Sequence, residues 1–86
     1  MTQETLIEFP ADIAVKAMGL DQNDFEQLIT DLVTPHIQPQ TPAVSTLASK
    51  GGKYLSVSVR FTADNLEQLH AVYAAFKAEP RVLYVL

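Results

Sequence analysis

The sequence predicts an α+β sandwich with the element order β-α-β-β-α-β, a four-stranded antiparallel sheet carrying two helices on one face. Three observations carry this prediction. Some segments alternate apolar and polar residues with the period of a half-buried strand, two others repeat apolar residues at helical spacing, and a Gly-Gly pair separates two extended runs. The 86 residues make a single domain, 1–86, with 1–11 as an amino-terminal arm. At this size folding buries only about 60–65% of the surface of the unfolded chain, so one modest core is available.

Asp12 to Met18 alternates, with Ile13, Val15 and Ala17 on one face and Asp12, Ala14, Lys16 and Met18 on the other. Gly19 and the DQND stretch break that period and offer Asp21, Asn23 or Asp24 as helix N-caps, because their side-chain oxygens accept the unpaired amide hydrogens of a first turn. Phe25, Leu28, Ile29, Leu32 and Val33 then form one apolar stripe. Pro35 disfavours helical geometry at Thr34, so the helix is expected to end there, and Pro39 and Pro42 keep the following connection irregular. Ala43 to Lys50 is a weaker strand with no clear inward side and prolines before it, which suits a sheet edge.

Gly51 and Gly52 tolerate the positive φ of a tight hairpin. Lys53 to Thr62 alternates cleanly, with Leu55, Val57, Val59 and Phe61 inward and Tyr54, Ser56, Ser58 and Arg60 outward. Asp64 followed by Glu67 reads as a capping-box-like start to a second helix with a stripe of Leu66, Leu69, Tyr73 and Phe76, ended by Pro80. The tail RVLYVL gives a last strand with Val82, Tyr84 and Leu86 on one face and Leu83 and Val85 on the other. Right-handed crossovers place the first and third strands at the centre, the ferredoxin-like order 4-1-3-2, and Leu28, Leu32, Val57, Val59, Leu69 and Phe76 are expected to share one core.

Composition excludes several activities. Without cysteine there is no disulfide scaffold, thiolate nucleophile or CxxC metal site, in keeping with a cytoplasmic location. No long apolar run suits a membrane. A net charge of −4, with six Lys and Arg scattered from Lys16 to Arg81, argues against nucleic acid, and of the stacking aromatics an RNA-binding sheet requires only Tyr54 is present. The acidic GLDQND loop does not cradle a substrate phosphate. His36 and His70 lack partners at ligand spacing, and the carboxylates near residues 21–31 suit a helix N-terminus and a solvated face. No catalytic residue, metal ligand or cofactor is expected, and the chain reads as a non-enzyme.

The face without helices is the expected working surface for a ligand or partner. It presents Lys16, Met18, Ser56, Ser58 and Arg60, with Leu83 and Val85 beside them if Tyr84 points inward. A lysine in mid-strand is tolerated when that face meets water, or when Lys16 and Arg60 receive an acidic group. Lys50, Gly51, Gly52 and Lys53 form a second candidate, a hairpin that contacts an anion through amides and ammonium groups, although a solvated turn accounts for the same residues.

The runs IEFPADIAVKAMG (7–19) and SKGGKYLSVSV (49–59), with the closing VLYVL, resemble the YbeD-like family of small bacterial proteins of unknown function. The resemblance covers nearly the whole chain and rests most on Glu8-Phe9-Pro10, Lys16, Met18-Gly19, Ser49-Lys50-Gly51, Tyr54 and Ser56, while the turn with Gly52 and Lys53 is one residue longer than the family's familiar form. It implies a fold similar to ACT-type regulatory domains, no established activity, and by gene context and analogy a connection with lipoate metabolism. ACT-type domains pair and bind small ligands at the interface, so a homodimer is also implied. The expected function is a non-enzymatic regulatory domain that binds a small metabolite or modulates a partner protein. The alternative is an interaction adaptor that uses the open face or an edge strand. Phe9 is expected to dock the arm, since burying a phenylalanine contributes about 1.5–3 kcal/mol.

Overall fold

The computed structural model describes residues 8–22 and 24–86. β1 (Ala11–Leu20), α1 (Phe25–Ile37), β2 (Ala43–Ala48), β3 (Tyr54–Ala63), α2 (Leu66–Lys77) and β4 (Val82–Val85) follow in the expected order. The sheet runs β2-β3-β1-β4 with every neighbouring pair antiparallel, which is the predicted order counted from the other edge. It is the ferredoxin-like α+β fold.

Strand alternation places Val15, Ala17, Val57, Val59 and Phe61 on the covered face, where Val15 stands opposite Val59 and Ala17 opposite Val57. Both helices close over them. α1 contributes Phe25, Ile29, Val33 and Ile37, and α2 contributes Leu69, Val72 and Phe76. Leu28 and Leu32 pack against this core half-buried, at the margin of the stripe, while Leu66 is exposed and Val72 fills the core position expected of it. Phe9 also packs half-buried against the core, in keeping with a docked arm, whereas Met1 to Ile7 lie outside the described residues.

β1 and β3 differ from the sequence expectation by only one or two residues at their ends, and three other boundaries differ for a reason the contacts show. α1 continues through Pro35 to Ile37. A proline in a helix removes one hydrogen bond and costs roughly 3 kcal/mol, but here the last turn is tied down by tertiary contacts: Ile37 is fully buried, and the Gln68 side-chain amide donates to the His36 carbonyl at 2.9 Å. The second helix starts one residue later than Asp64 implies. Asn65 is its N-cap, its Oδ1 accepting from the Gln68 amide at 2.8 Å, while Gln68 Oε1 accepts from the Asp64 amide at 2.6 Å. Gln68 thus does the reaching back expected of Glu67, but to the amide of Asp64 and not to that of the cap Asn65. At the weak edge, β2 stops at Ala48, and beyond its other end the Gln40 side chain pairs with both backbone groups of Thr62 at 2.8 Å, extending the ladder where the prolines cannot.

A further difference is at Gly19, which does not break β1 but lies inside it and is buried. An added Cβ there would sit 2.6 Å from the Arg81 carbonyl oxygen and 2.6 Å from Cζ of Phe25. Only glycine lets the first residue of α1 and the entry to β4 close on this point together. Asp24 occupies the α1 N-cap position but makes no side-chain cap; its carboxylate instead meets the Arg81 guanidinium in two bonds of 2.8 and 3.2 Å. The other N-cap candidates are not seen as caps: Asp21 gives its amide to the Lys53 carbonyl, and Asn23 lies outside the described residues. The guanidinium carbon also stands 5.8 Å from the centre of the Phe25 ring.

Substituting Gly19→Ala is expected to destabilise the fold by about 1–3 kcal/mol, since the new methyl meets backbone on one side and a buried ring on the other. Urea unfolding checks this, and an unchanged midpoint would contradict the close approach. The hydrogen bonds from Arg81 hold the Asp24 carboxyl below its ordinary pKa and push Arg81 up. A lowered carboxyl pKa stabilises the fold above the unfolded value of about 3.9, and that contribution is lost as pH falls through the lower folded value. Asp24→Asn is therefore expected to melt slightly below the native chain at neutral pH, with the difference vanishing in strong acid. Both partners touch solvent, so the shift is small.

Candidate functional site

The second face of the sheet carries no helix, and the strand registers assign its residues. Lys16 stands opposite Ser58, Met18 opposite Ser56, Ala14 opposite Arg60 and Leu20 opposite Tyr54. From β2, Leu47 lies opposite Ser56 and Ser45 opposite Ser58. Five of the predicted residues, Lys16, Met18, Ser56, Ser58 and Arg60, are thus brought together as expected. Lys16 and Arg60 are exposed, and the two serines and Met18 are half-buried.

β4 corrects the remaining two. Between Met18 and Gly19 the register shifts, so that Gly19 pairs with Val82 but Met18 pairs with Tyr84 and Ala17 with Val85. Leu83 is the extra residue of a bulge. Val85 therefore turns inward opposite Ala17 and packs against the core, and is not part of the open face. Leu83 remains exposed, at the rim of the sheet. Tyr84 and Leu86 take the places beside Met18 and Lys16; Lys16 and Leu86 exchange backbone hydrogen bonds of 2.8 and 3.1 Å. A bulge-free β4 would have turned Tyr84 inward, burying its hydroxyl among apolar side chains. The bulge sends two valines inward and keeps that hydroxyl in water.

The result is a row at the level of Met18 that is apolar on three of the four strands, with Leu47 at one edge, Ser56 beside it, then Met18, and Tyr84 at the other edge; Leu47 and Tyr84 are 71% and 55% exposed. Leu20, Leu83 and Leu86 extend it. The next level toward the other end is polar: Ser45, Ser58 and Lys16, followed by Arg60. A shallow depression of about 290 Å³ lies there, lined by Ala14, Ala43, Val44, Ser45, Ser58 and Arg60. Tyr84 and Leu47 were missed from the sequence. The bulge left no mark in a uniformly apolar tail, and β2 offered two equally plausible faces.

The hairpin candidate lies elsewhere. Lys50, Gly51, Gly52 and Lys53 are exposed, with φ of +90° and +76° at the two glycines, as a tight turn demands. The Gly52 amide donates to the Ser49 carbonyl at 2.8 Å, and Lys53 Nζ sits 5.4 Å from the centre of the Tyr54 ring. Six residues of extended chain, about 20 Å, separate Tyr54 from Arg60, so the hairpin and the cationic end of the face are distinct places. His36 and His70 are both exposed. Among the described residues no three His, Cys, Asp or Glu side chains gather as a metal site, and no helix is long and apolar enough to cross a membrane.

Residues 4–86 match the family described as "Protein of unknown function (DUF493)". The chain is 41% identical to the UPF0250 protein RSc0326 of Ralstonia nicotianae, an alignment that takes in 98% of this chain and 88% of that protein. It is 39% identical to a UPF0250 protein of Janthinobacterium sp., covering 96% and 92%, and 32% identical to the UPF0250 protein NE1487 of Nitrosomonas europaea over the whole of both. The solution structure of protein HP0495 from H. pylori shares the fold at a TM-score of 0.76, covering 100% of this chain and 94% of that one at 14% identity. None of these descriptions carries an enzymatic name. The chain belongs to the DUF493 family of proteins of unknown function, the bacterial UPF0250 or YbeD-like group that its sequence resembles.

Proposed function

We propose that the protein is a non-enzymatic, ACT-like regulatory domain of the cytoplasm that modulates a partner protein through its uncovered sheet face. The observation that carries this reading is the apolar band from Leu47 through Met18 to Tyr84, on a face where a free monomer favours polar side chains. Exposed apolar patches rimmed by polar groups mark interaction surfaces. The shallow depressions of the surface favour a broad partner over an engulfed substrate, and the described residues of this face bring no converging set of titratable side chains to acid-base chemistry. A metabolite that bridges two such faces, or a second copy of the chain, belongs to the same reading, as does the connection with lipoate metabolism that the family resemblance implies.

A second reading, an adaptor that adds a strand to its sheet, is favoured by one observation. β2 is an edge strand, AVSTLA, with no charge, proline or bulge within it, whereas edges are usually protected by such features. The two are separated by where substitutions act. In the double variant Leu47→Glu, Tyr84→Glu, both native side chains are exposed, so circular dichroism should show a folded domain. Self-association in sedimentation, or recovery of a partner from a bacterial lysate, should fall at least about tenfold, the effect of roughly 1.4 kcal/mol. Undiminished association in a folded double variant would reject the face. A proline at Thr46, whose amide points away from β3 so that it blocks only edge pairing, should then abolish association if the adaptor reading holds.

A further inference from the structure

The cationic end of the open face has an arrangement that an acidic protein does not need for stability. The chain carries ten carboxylates against six Lys and Arg, yet the one ion pair among the described residues is Arg81 with Asp24, at the corner where β4 begins. Lys16 and Arg60 make none there, although the exposed carboxylate of Asp12, opposite Thr62, lies one register step beyond Arg60 on the same face. They sit on the two central strands, one register step apart: Lys16 opposite Ser58, Arg60 two residues further along β3. That diagonal spacing is about 7–8 Å, and Ser45 lies directly opposite Ser58 on the other side, about 5 Å away. Neither serine hydroxyl has a hydrogen-bond partner among the side-chain bonds of the described residues, and both line the depression of about 290 Å³ that Arg60 closes.

We infer that Lys16, Arg60, Ser45 and Ser58 form a seat for the phosphate of a small phosphate monoester whose apolar or aromatic body lies on the band at Met18 and Leu47. The inference rests on the open face being the working surface, and names the chemistry recognised there. Charge decides between anions. A carboxylate brings one negative charge and two acceptor oxygens, whereas a phosphate monoester at neutral pH brings nearly two charges and three terminal oxygens. Two cations flanking two hydroxyl donors match the latter. The planar Arg60 fork takes two oxygens, the Lys16 ammonium neutralises the second charge, and the serines donate to what remains. Met18 stands beside Ser56 at the adjoining level, so a body attached to the phosphate passes directly from the polar to the apolar row.

The test is titration of the full, isotope-labelled chain with phenyl phosphate, inorganic phosphate and benzoate, followed by amide chemical shifts. Phenyl phosphate is expected to give saturable shifts centred on Ser45, Ser58, Lys16 and Arg60, and to bind more tightly than either simpler anion. Its affinity should fall below about pH 6, where the phosphate takes up a proton. Lys16→Met and Arg60→Gln should each weaken it at least about tenfold, equivalent to 1.4 kcal/mol, while leaving the circular dichroism spectrum unchanged. No saturable shift at millimolar concentration, shifts centred on the Lys50 and Lys53 hairpin, or undiminished binding by the two variants would overturn the seat. Benzoate binding as tightly as phenyl phosphate would overturn the choice of a dianion, inorganic phosphate binding as tightly would overturn the apolar body, and a phosphotyrosine peptide binding more tightly than phenyl phosphate would overturn the small molecule. A chain that loses partner capture on Leu47→Glu, Tyr84→Glu but binds no phenyl phosphate retains the regulatory reading and loses this one.

Discussion

The absence of a side chain at Gly19 is the constraint on which the sheet's two faces depend. The Phe25 ring and the Arg81 carbonyl both press within the space that a Cβ would fill. Phe25 begins α1 and Arg81 leads into β4, so one point on β1 fixes where a helix starts and where the last strand joins. Around it the contacts reinforce one another: the guanidinium of Arg81 lies by the Phe25 ring and holds Asp24, and Glu79 Oε2 accepts from the Arg81 amide at 3.2 Å. Packing outweighs charge here, because Phe25 is fully buried and worth about 1.5–3 kcal/mol, whereas an ion pair in contact with solvent contributes little.

The same point governs what the protein shows to its surroundings. β4 enters beside Gly19 with Val82 facing the core, then inserts Leu83 as an extra residue, so Tyr84 and not Leu83 becomes the neighbour of Met18. Tyr84 thus reaches the open face, and Val85 the core, through a local departure from strand regularity. The polar level beyond it is built from regular pairing between β1, β3 and β2, and needs no such device. A regular centre with a bulged margin gives a surface on which Leu47, Met18 and Tyr84 share one row and Lys16 and Ser58 the next, with Leu86 at the edge of that second row.

The legibility of the fold in the sequence followed the strength of each local signal. β3 was read correctly along its whole alternation because one face is apolar and the other polar at every step, and the hairpin glycines have the positive φ their position demanded. Lys16, Ser56, Ser58 and Arg60 were legible for the same reason. The end of α1 was not, since the local penalty at Pro35 is outweighed by the burial of Ile37, a contact with residues far away in the chain. The cap of α2 was displaced by one residue because Asp64, Asn65, Glu67 and Gln68 offer two overlapping pairs, and the choice rests on Gln68 also reaching His36. β4 was the hardest case. In RVLYVL every residue suits either face, and only the meeting with β1 reveals the extra one.

The register of β4 on β1 decides the composition of both faces, and nuclear Overhauser contacts across that pair test it most directly. The bulged register places Met18 beside Tyr84, Ala17 beside Val85 and Lys16 beside Leu86, with the Lys16 and Leu86 amide hydrogens protected from exchange by their mutual bonds. A regular strand starting from the same Gly19 and Val82 pair would instead place Met18 beside Leu83, Ala17 beside Tyr84 and Lys16 beside Val85. Observation of the first set supports the account of both faces; observation of the second would put the Tyr84 ring in the core and Leu83 in its place beside Met18, and contradict it.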